Sequence, residues 1–262
     1  MAVTELLRDR WGRPMIEPAG GGKAEPYTRV STLAKTLDDK TALAKWMCRQ
    51  TALGLSVRPD LISLIGSNRE DKRAVGDAVE KAMAAAKSDA AANTGTALHS
   101  LTEAWDAGTY DKTFVASEYH DDVCAYVYAM EKIEIVAAEL FIVCDEIKAA
   151  GTFDRIVRLP DGRVMVADIK TGQNEPKYPH GSTTQIGIYA HGTPYSPDTG
   201  RTKSLGELGV SLTEGLLIHL PAGQAKCDLY ILDLELGWAL ATVAYQVRAM
   251  QKTKPLTPYT PA

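Results

Sequence analysis

Between residues 151 and 173 the chain reads GTFDRIVRLPDGRVMVADIKTGQ. Two short β-branched runs, FDRIVRL and RVMVADIK, flank Pro-Asp-Gly, which predicts a hairpin around a type I′ turn, because Asp-Gly tolerates positive φ. On that hairpin Asp154 lies on the first strand, and Asp168 and Lys170 lie where the second strand ends. Side chains alternate along a strand, so Asp168 and Lys170 project to one side and Ile169 to the other. Pairing residues whose numbers sum to roughly 323 brings Asp154 near Ile169, within reach of Asp168. Two carboxylates converging at a strand end make an oxygen-rich site suited to Mg²⁺ or Mn²⁺. A lysine beside them can orient a water or stabilise charge developing on a phosphate. The same residues also suit a buried ion pair between Lys170 and one aspartate, since RVMVADIK is apolar enough for a central strand, where unpaired charge is costly. The hairpin alone leaves both arrangements open.

The elements that must position these residues follow from periodicity. The first thirty residues, with EPAGGGKAEP at 17–26, read as an irregular arm. From about Ser31 to Leu55, Leu33, Leu37, Leu43, Trp46 and Met47 fall near helical spacing and suggest one or two short helices. RPD at 58–60 interrupts, and LISLIGSN resumes as helix. Further helices are expected over 69–92, from its alanine and charge content, over 94–106, and over EYHDDVCAYVYAMEKI. ELFIVCDE at 139–146 reads as a strand leading to the hairpin. Beyond it come a loop over 173–182 and STTQIGIYAHG, a helix weakened by Gly187. GLLIHL and CDLYILDLE form a second hairpin around PAGQ, and LGWALATVAYQVRAMQK an amphipathic helix. This order predicts an α/β fold with a helical N-terminal portion.

Composition narrows the function classes. At 262 residues with 45% hydrophobic and 24% charged content, the chain can bury a substantial core. No apolar run approaches the roughly 18–20 residues of a membrane helix, and MAVTELLRDRWGR is too charged for a signal peptide, so a soluble cytoplasmic protein with no membrane partner is expected. Cys48, Cys124, Cys144 and Cys227 form no C-x-x-C pair, which argues against a zinc site or a disulfide framework. A net charge of −4 supplies no global field for recruiting nucleic acid, yet a local basic groove stays compatible because phosphate contacts are screened within roughly 10 Å.

G-x-x-D, a hairpin, and then D-x-K followed by Thr-Gly resembles the PD-(D/E)xK nuclease superfamily, specifically its RecB-like branch. That branch carries Gly-Thr-x-x-His on a helix before the sheet and Gln-x-x-x-Tyr on a helix after it. Here GTALH ends at His99, and QIGIY runs from Gln185 to Tyr189. The likeness covers residues 95–190 most fully, and YTRVSTLAK…LAKW is similar to the openings of phage-encoded members. It implies a restriction-endonuclease-like core, a mixed central sheet flanked by helices, over 94–254. An arm and helical extension over 1–93 would precede that core, and a tail over 255–262 would follow it.

The resemblance also implies one or two Mg²⁺ or Mn²⁺ ions held by His99, Asp154, Asp168 and the carbonyl of Ile169. Asp154, Asp168, Lys170, Gln185 and Tyr189 would be the catalytic set, with Lys170 positioning or activating the attacking water. Gln185 and Tyr189, at i and i+4, share one helix face. Read without the resemblance, His99 is an ordinary half-buried histidine. Glu139, at the opening of the preceding strand, either supports the site or is a solvated strand end. Glu103 is assigned to the surface, and Arg155, Arg158, Arg163 and Lys177 to solvated faces rather than phosphate contacts. Cys227 alone follows the motif-bearing residues 95–190, so the iron–sulfur cluster of the CRISPR-associated and AddB-like relatives is not expected, and no Walker A loop is present.

The expected protein is therefore a stand-alone, metal-dependent DNA nuclease, in first place an exonuclease of recombination, repair or phage replication, at work in the host cytoplasm if phage-encoded. A structure-specific endonuclease of the same fold and a non-catalytic DNA-end-binding protein are the alternatives. DNA is the expected partner, and the acidic balance leaves room for a single-strand-binding or annealing protein that delivers it.

Overall fold

The computed structural model describes residues 5–88 and 90–259. The arm carries short strands β1 (Met15–Ile16), β2 (Glu25–Pro26) and β3 (Thr28–Arg29). Helices α1 (Val30–Ala34), α2 (Thr41–Ser56), α3 (Pro59–Ser67), α4 (Lys72–Ala85), α5 (Ala90–Asp106) and α6 (His120–Met130) follow. Next come β4 (Glu134–Ala138), β5 (Phe141–Cys144), β6 (Ala149–Thr152), β7 (Arg155–Arg158), β8 (Val164–Lys170) and α7 (His180–Ala190). The remaining elements are β9 (Thr193–Ser196), β10 (Gly200–Arg201), β11 (Glu214–His219), β12 (Asp228–Asp233) and α8 (Leu234–Met250). Residues 1–4, Asp89 and 260–262, parts of the expected arm, helix and tail, lie outside the described residues.

The chain divides into two compact units, Met1–Leu37 with Glu103–Ala262, and Asp38–Thr102. In the second unit α2, α3 and α4 pack around Leu61, Ala78 and Ala82. Gly54 is required there, because a Cβ would stand 1.7 Å from the Ala82 carbonyl oxygen. Asp71 caps α4, its carboxylate accepting from the Arg73 and Ala74 N–H groups.

The first unit holds two five-stranded sheets, ordered β12-β11-β8-β7-β4 and β10-β9-β5-β6-β3. Each is mixed, with β8 and β11 parallel in one and β3 and β6 parallel in the other. The main core, with Val30, Ile142, Phe153, Val166, Ile186 and Leu217 among its members, is covered by α1, α7 and α8. This is the mixed α/β architecture expected of a restriction-endonuclease-like fold. Among the described residues no helix is long and apolar enough to cross a membrane.

The central hairpin forms as β7 and β8, with differences from the expectation. Gly162 alone takes a positive φ in the turn, +90°, and its N–H donates to the Leu159 carbonyl at 2.9 Å. This is a turn followed by a glycine bulge rather than type I′, which needs two left-handed residues. The register is one residue off the expected pairing, with Arg155 opposite Ala167 and Ile156 opposite Val166. Asp154 is not on a strand: β6 ends at Thr152 in one sheet, and the chain enters the other at Arg155. The N-terminal arm carries short strands, and β4, β6, β9 and β10 are additional to the expected elements; all are short or edge strands with weak patterns. Gly187, read as a weakness in its helix, is where α7 crosses α8. A Cβ on Gly187 would meet the Gly237 backbone at 3.0 Å, and one on Gly237 the Thr183 carbonyl oxygen at 2.4 Å.

Candidate active site

β8 is buried along nearly its whole length between β7 and β11, which makes its charged end costly unless that charge is answered locally. Asp168 is 2% exposed. Its carboxylate faces the Lys170 ammonium in an ion pair and accepts from Gln185 Nε2 at 3.2 Å. The ion pair that the sequence left open is thus formed, and Lys170 itself remains half-exposed. Asp154 reaches the same place by another route, its Oδ2 accepting from the Ile169 N–H at 2.9 Å. Ile169 is fully buried, so this bond fixes Asp154 against the main chain between Asp168 and Lys170.

Gln185 and Tyr189 share a face of α7 as expected. Gln185 Nε2 also lies 3.5 Å from Tyr189 Oη. Burial, and then the charges of Asp168, Asp154 and Glu139, push the Tyr189 phenol well above its ordinary pKa. Glu139 does not open a strand. It occupies the β4–β5 turn with φ +53°, and its N–H donates to the Asp154 carbonyl at 3.1 Å. Although the side chain as a whole is exposed, its carboxyl is partly desolvated and its pKa is raised, first by that desolvation and then by the charges of Glu103 and Asp154. Glu103, assigned to the surface, is half-buried and belongs to this acidic group.

Two supports escaped the sequence reading. Arg155 was placed on a solvated face, but it is 0% exposed, ion-paired with the buried Asp106 and set over the Tyr126 ring at 5.5 Å. Tyr126 Oη donates to both Asp106 oxygens, at 2.8 and 2.9 Å. A buried guanidinium demands such partners, so the residue after Asp154 is tied to α5 and α6. The second support is a belt of hydrogen bonds around the chain leaving Lys170. Leu220 N–H donates to the Lys170 carbonyl, Ala222 N–H to Thr171, His219 Nε2 to Gly172, and Gln224 Nε2 to Gln173. The belt is anchored in turn by the buried Asp122 of α6, which accepts from the Gly223 and Ala225 N–H groups at 2.7 and 2.8 Å. An Asp in a helix and a His in a strand carry no spacing signal for this role. Arg158 and Arg163 do lie on solvated faces, paired with Glu134 and with Asp161 and Glu214, and Lys177 is exposed.

His99 lies on the part of α5 that belongs to the second unit, half-buried, its carbonyl accepting from Thr102 Oγ1 at 2.8 Å. Among the described residues no group of three or more His, Cys, Asp or Glu side chains is arranged to hold a metal ion. Two carboxylates and a main-chain carbonyl nevertheless suit Mg²⁺, which keeps several waters and takes one or two protein carboxylates. The Glu139 carboxyl is raised first by desolvation and then by the charges of Glu103 and Asp154, and a hard divalent cation beside these carboxylates would relieve that mutual repulsion. The donor chemistry fits such an ion.

The family model of the PD-(D/E)XK nuclease superfamily matches residues 45–198, a span that contains each of these candidate residues from His99 to Tyr189. Comparison with curated proteins finds no match.

Proposed function

Because the chain belongs to the PD-(D/E)XK nuclease superfamily, we propose that it is a divalent-metal-dependent deoxyribonuclease, and that it works as an exonuclease on DNA ends in recombination, repair or phage replication. One observation carries the reading: Asp154, Asp168 and Lys170 meet at the end of β8, with Gln185 of α7 on the same Asp168 carboxylate. Asp154, Asp168 and the Ile169 carbonyl would hold the ion, with His99 as a further ligand. The chemistry a bound divalent ion supplies is neutralisation of phosphate charge and a lower pKa for the attacking water.

The chain's own residues do the rest. Lys170, half-exposed and anchored through Asp168, presents N–H donors to the water or to a phosphate oxygen on which charge accumulates as water adds to phosphorus and the P–O bond to the departing strand breaks. Gln185 holds Asp168 in orientation through one amide N–H. Tyr189, kept protonated by burial and then by the neighbouring carboxylates, offers a neutral O–H donor beside them. The buried Arg155 pair and the belt behind Lys170 keep these groups in place before substrate arrives.

The test incubates purified protein with end-labelled linear duplex, single-stranded and closed circular DNA, each with Mg²⁺, Mn²⁺ or EDTA, beside Lys170→Ala and Asp168→Ala. The expected result is metal-dependent loss of linear DNA, slowed about 10²–10³-fold in Lys170→Ala. Cutting of closed circles would assign an endonuclease of the same fold. Undiminished cleavage by both variants would remove these residues from the mechanism.

A further inference from the structure

Tyr189 also lines a cavity whose chemistry differs from that of the carboxylate site. It has a volume of about 190 Å³, and its lining includes Arg8, Arg29, Ser31, Phe141, Thr152 and Tyr189. Two arginines, a serine and a threonine are among the lining residues, with no Asp or Glu among the described ones. Arg8 comes from the arm, where its Nη1 donates to the Gly12 carbonyl at 3.1 Å. Arg29 is the last residue of β3 and pairs in register with Ala150 of β6, two residues before Thr152, where that strand ends, and four before Asp154 in the chain.

The charge of these arginines is not used inside the fold. Arg13, Arg58, Arg155, Arg158, Arg163 and Arg201 each face a carboxylate, and among the described residues neither Arg8 nor Arg29 does. Two cations lining one small cavity repel each other, and an anion between them turns that repulsion into attraction. The planar guanidinium fork matches phosphate oxygens, and the hydroxyls add donors. At about 30 Å³ per liquid water, the cavity has room for a phosphate group and a few waters.

Its position relates it to the carboxylates. Tyr189 is the shared wall: its Oη is within 3.5 Å of Gln185 Nε2, which also donates to Asp168. β6 runs close beneath the phenol, since a Cβ on Gly151 would stand 3.3 Å from Tyr189 Oη. We propose that Arg8 and Arg29, with the hydroxyls of Ser31 and Thr152, bind a phosphate of the substrate strand next to the scissile one, and so set where along the strand the cut falls. The inference rests on the nuclease reading above. The phosphate can be a strand-terminal monoester or an internal diester.

The test measures binding apart from cleavage. Full-length protein in EDTA is titrated into fluorescein-labelled duplexes ending in 5′-phosphate, 3′-phosphate or hydroxyl, across a salt series. In Arg29→Gln the plot of log affinity against log salt should be shallower by about one unit, with binding at low salt about tenfold weaker. Lys252→Gln removes an exposed cation from a separate cavity lined by Arg13, Lys148 and Arg248, and should leave the slope unchanged. An equal loss on all ends assigns the site to an internal phosphate, and a loss confined to one phosphorylated end assigns it to that terminal group. A slope unchanged in Arg29→Gln, or changed equally in Lys252→Gln, overturns the subsite. If Lys170→Ala still abolishes metal-dependent cleavage in that case, the nuclease reading stands without the subsite. Wild-type protein that neither binds nor cleaves any of these DNAs overturns both.

Discussion

Beside each of the two sheets stands an aspartate held by one arginine and one tyrosine, Asp106 at the end of α5 and Asp145 in the β5–β6 turn, and the same three groups do different work in the two places. Beside Asp154, Asp106 accepts from Arg155 and Tyr126, with Arg155 at 0% and Asp106 at 7% side-chain exposure. On the other sheet, Asp145 accepts from both Arg201 Nε and Nη2 at 2.6 Å and from Tyr27 Oη at 2.5 Å. There Arg201 is 18% and Asp145 35% exposed. The second trio has the better fork geometry, yet water already solvates its charges, so losing a partner costs little. The first has no water to fall back on, so each member depends on the others. Burial rather than hydrogen-bond geometry decides which trio the site depends on.

The contrast can be broken in graded steps. Arg155→Ala should cost about 3–5 kcal/mol in urea unfolding, because Asp106 is left as a buried, uncompensated charge. Replacing both partners, Arg155→Met with Asp106→Leu, should recover most of that loss. Tyr126→Phe removes one donor from Asp106 and should cost about 1.5 kcal/mol by the same measurement. Arg201→Ala should cost no more than about 1 kcal/mol, and still less in high salt. The smallest effect is in acid. Burial alone would raise the Asp145 carboxyl, but the Arg201 guanidinium and the Tyr27 hydroxyl outweigh it and hold its pKa below the ordinary value. A carboxyl depressed in the folded state contributes stability above its unfolded pKa, about 3.9, and loses it as pH falls through the folded value. Asp145→Asn should therefore flatten the stability profile below about pH 4 and leave its slope near neutrality unchanged.

What the sequence disclosed followed local pattern. The β7–β8 hairpin, the central position of β8, and the shared face of Gln185 and Tyr189 were legible because alternation and helical spacing report them directly. Asp154 was placed on a strand because Thr152, Phe153, Ile156 and Val157 around it are strand-favouring residues; the change of sheet at Phe153 depends on partners distant in sequence. Arg155 looked solvated because its answering charge, Asp106, lies 49 residues away. Glu103 and Glu139 join the acidic group through packing that no periodicity encodes. The proposed roles of Asp154, Asp168 and Lys170 stand on the family motif together with the geometry described above, and that of His99 on the motif alone.

The belt behind Lys170 also orders events in time. His219 and the Gly172 carbonyl it holds are 47 residues apart, and parallel β8–β11 pairing is a long-range contact of the kind that forms late in folding. A ribosome emitting this chain releases both aspartates and the lysine well before β11 and the loop carrying Gly223 and Ala225 have emerged. Until they do, Lys170 has no strand beside it and the segment beyond it has no anchor. Nascent chains thus carry the motif without its geometry, and a cell making the protein meets an assembled site only on chains whose C-terminal third has already folded.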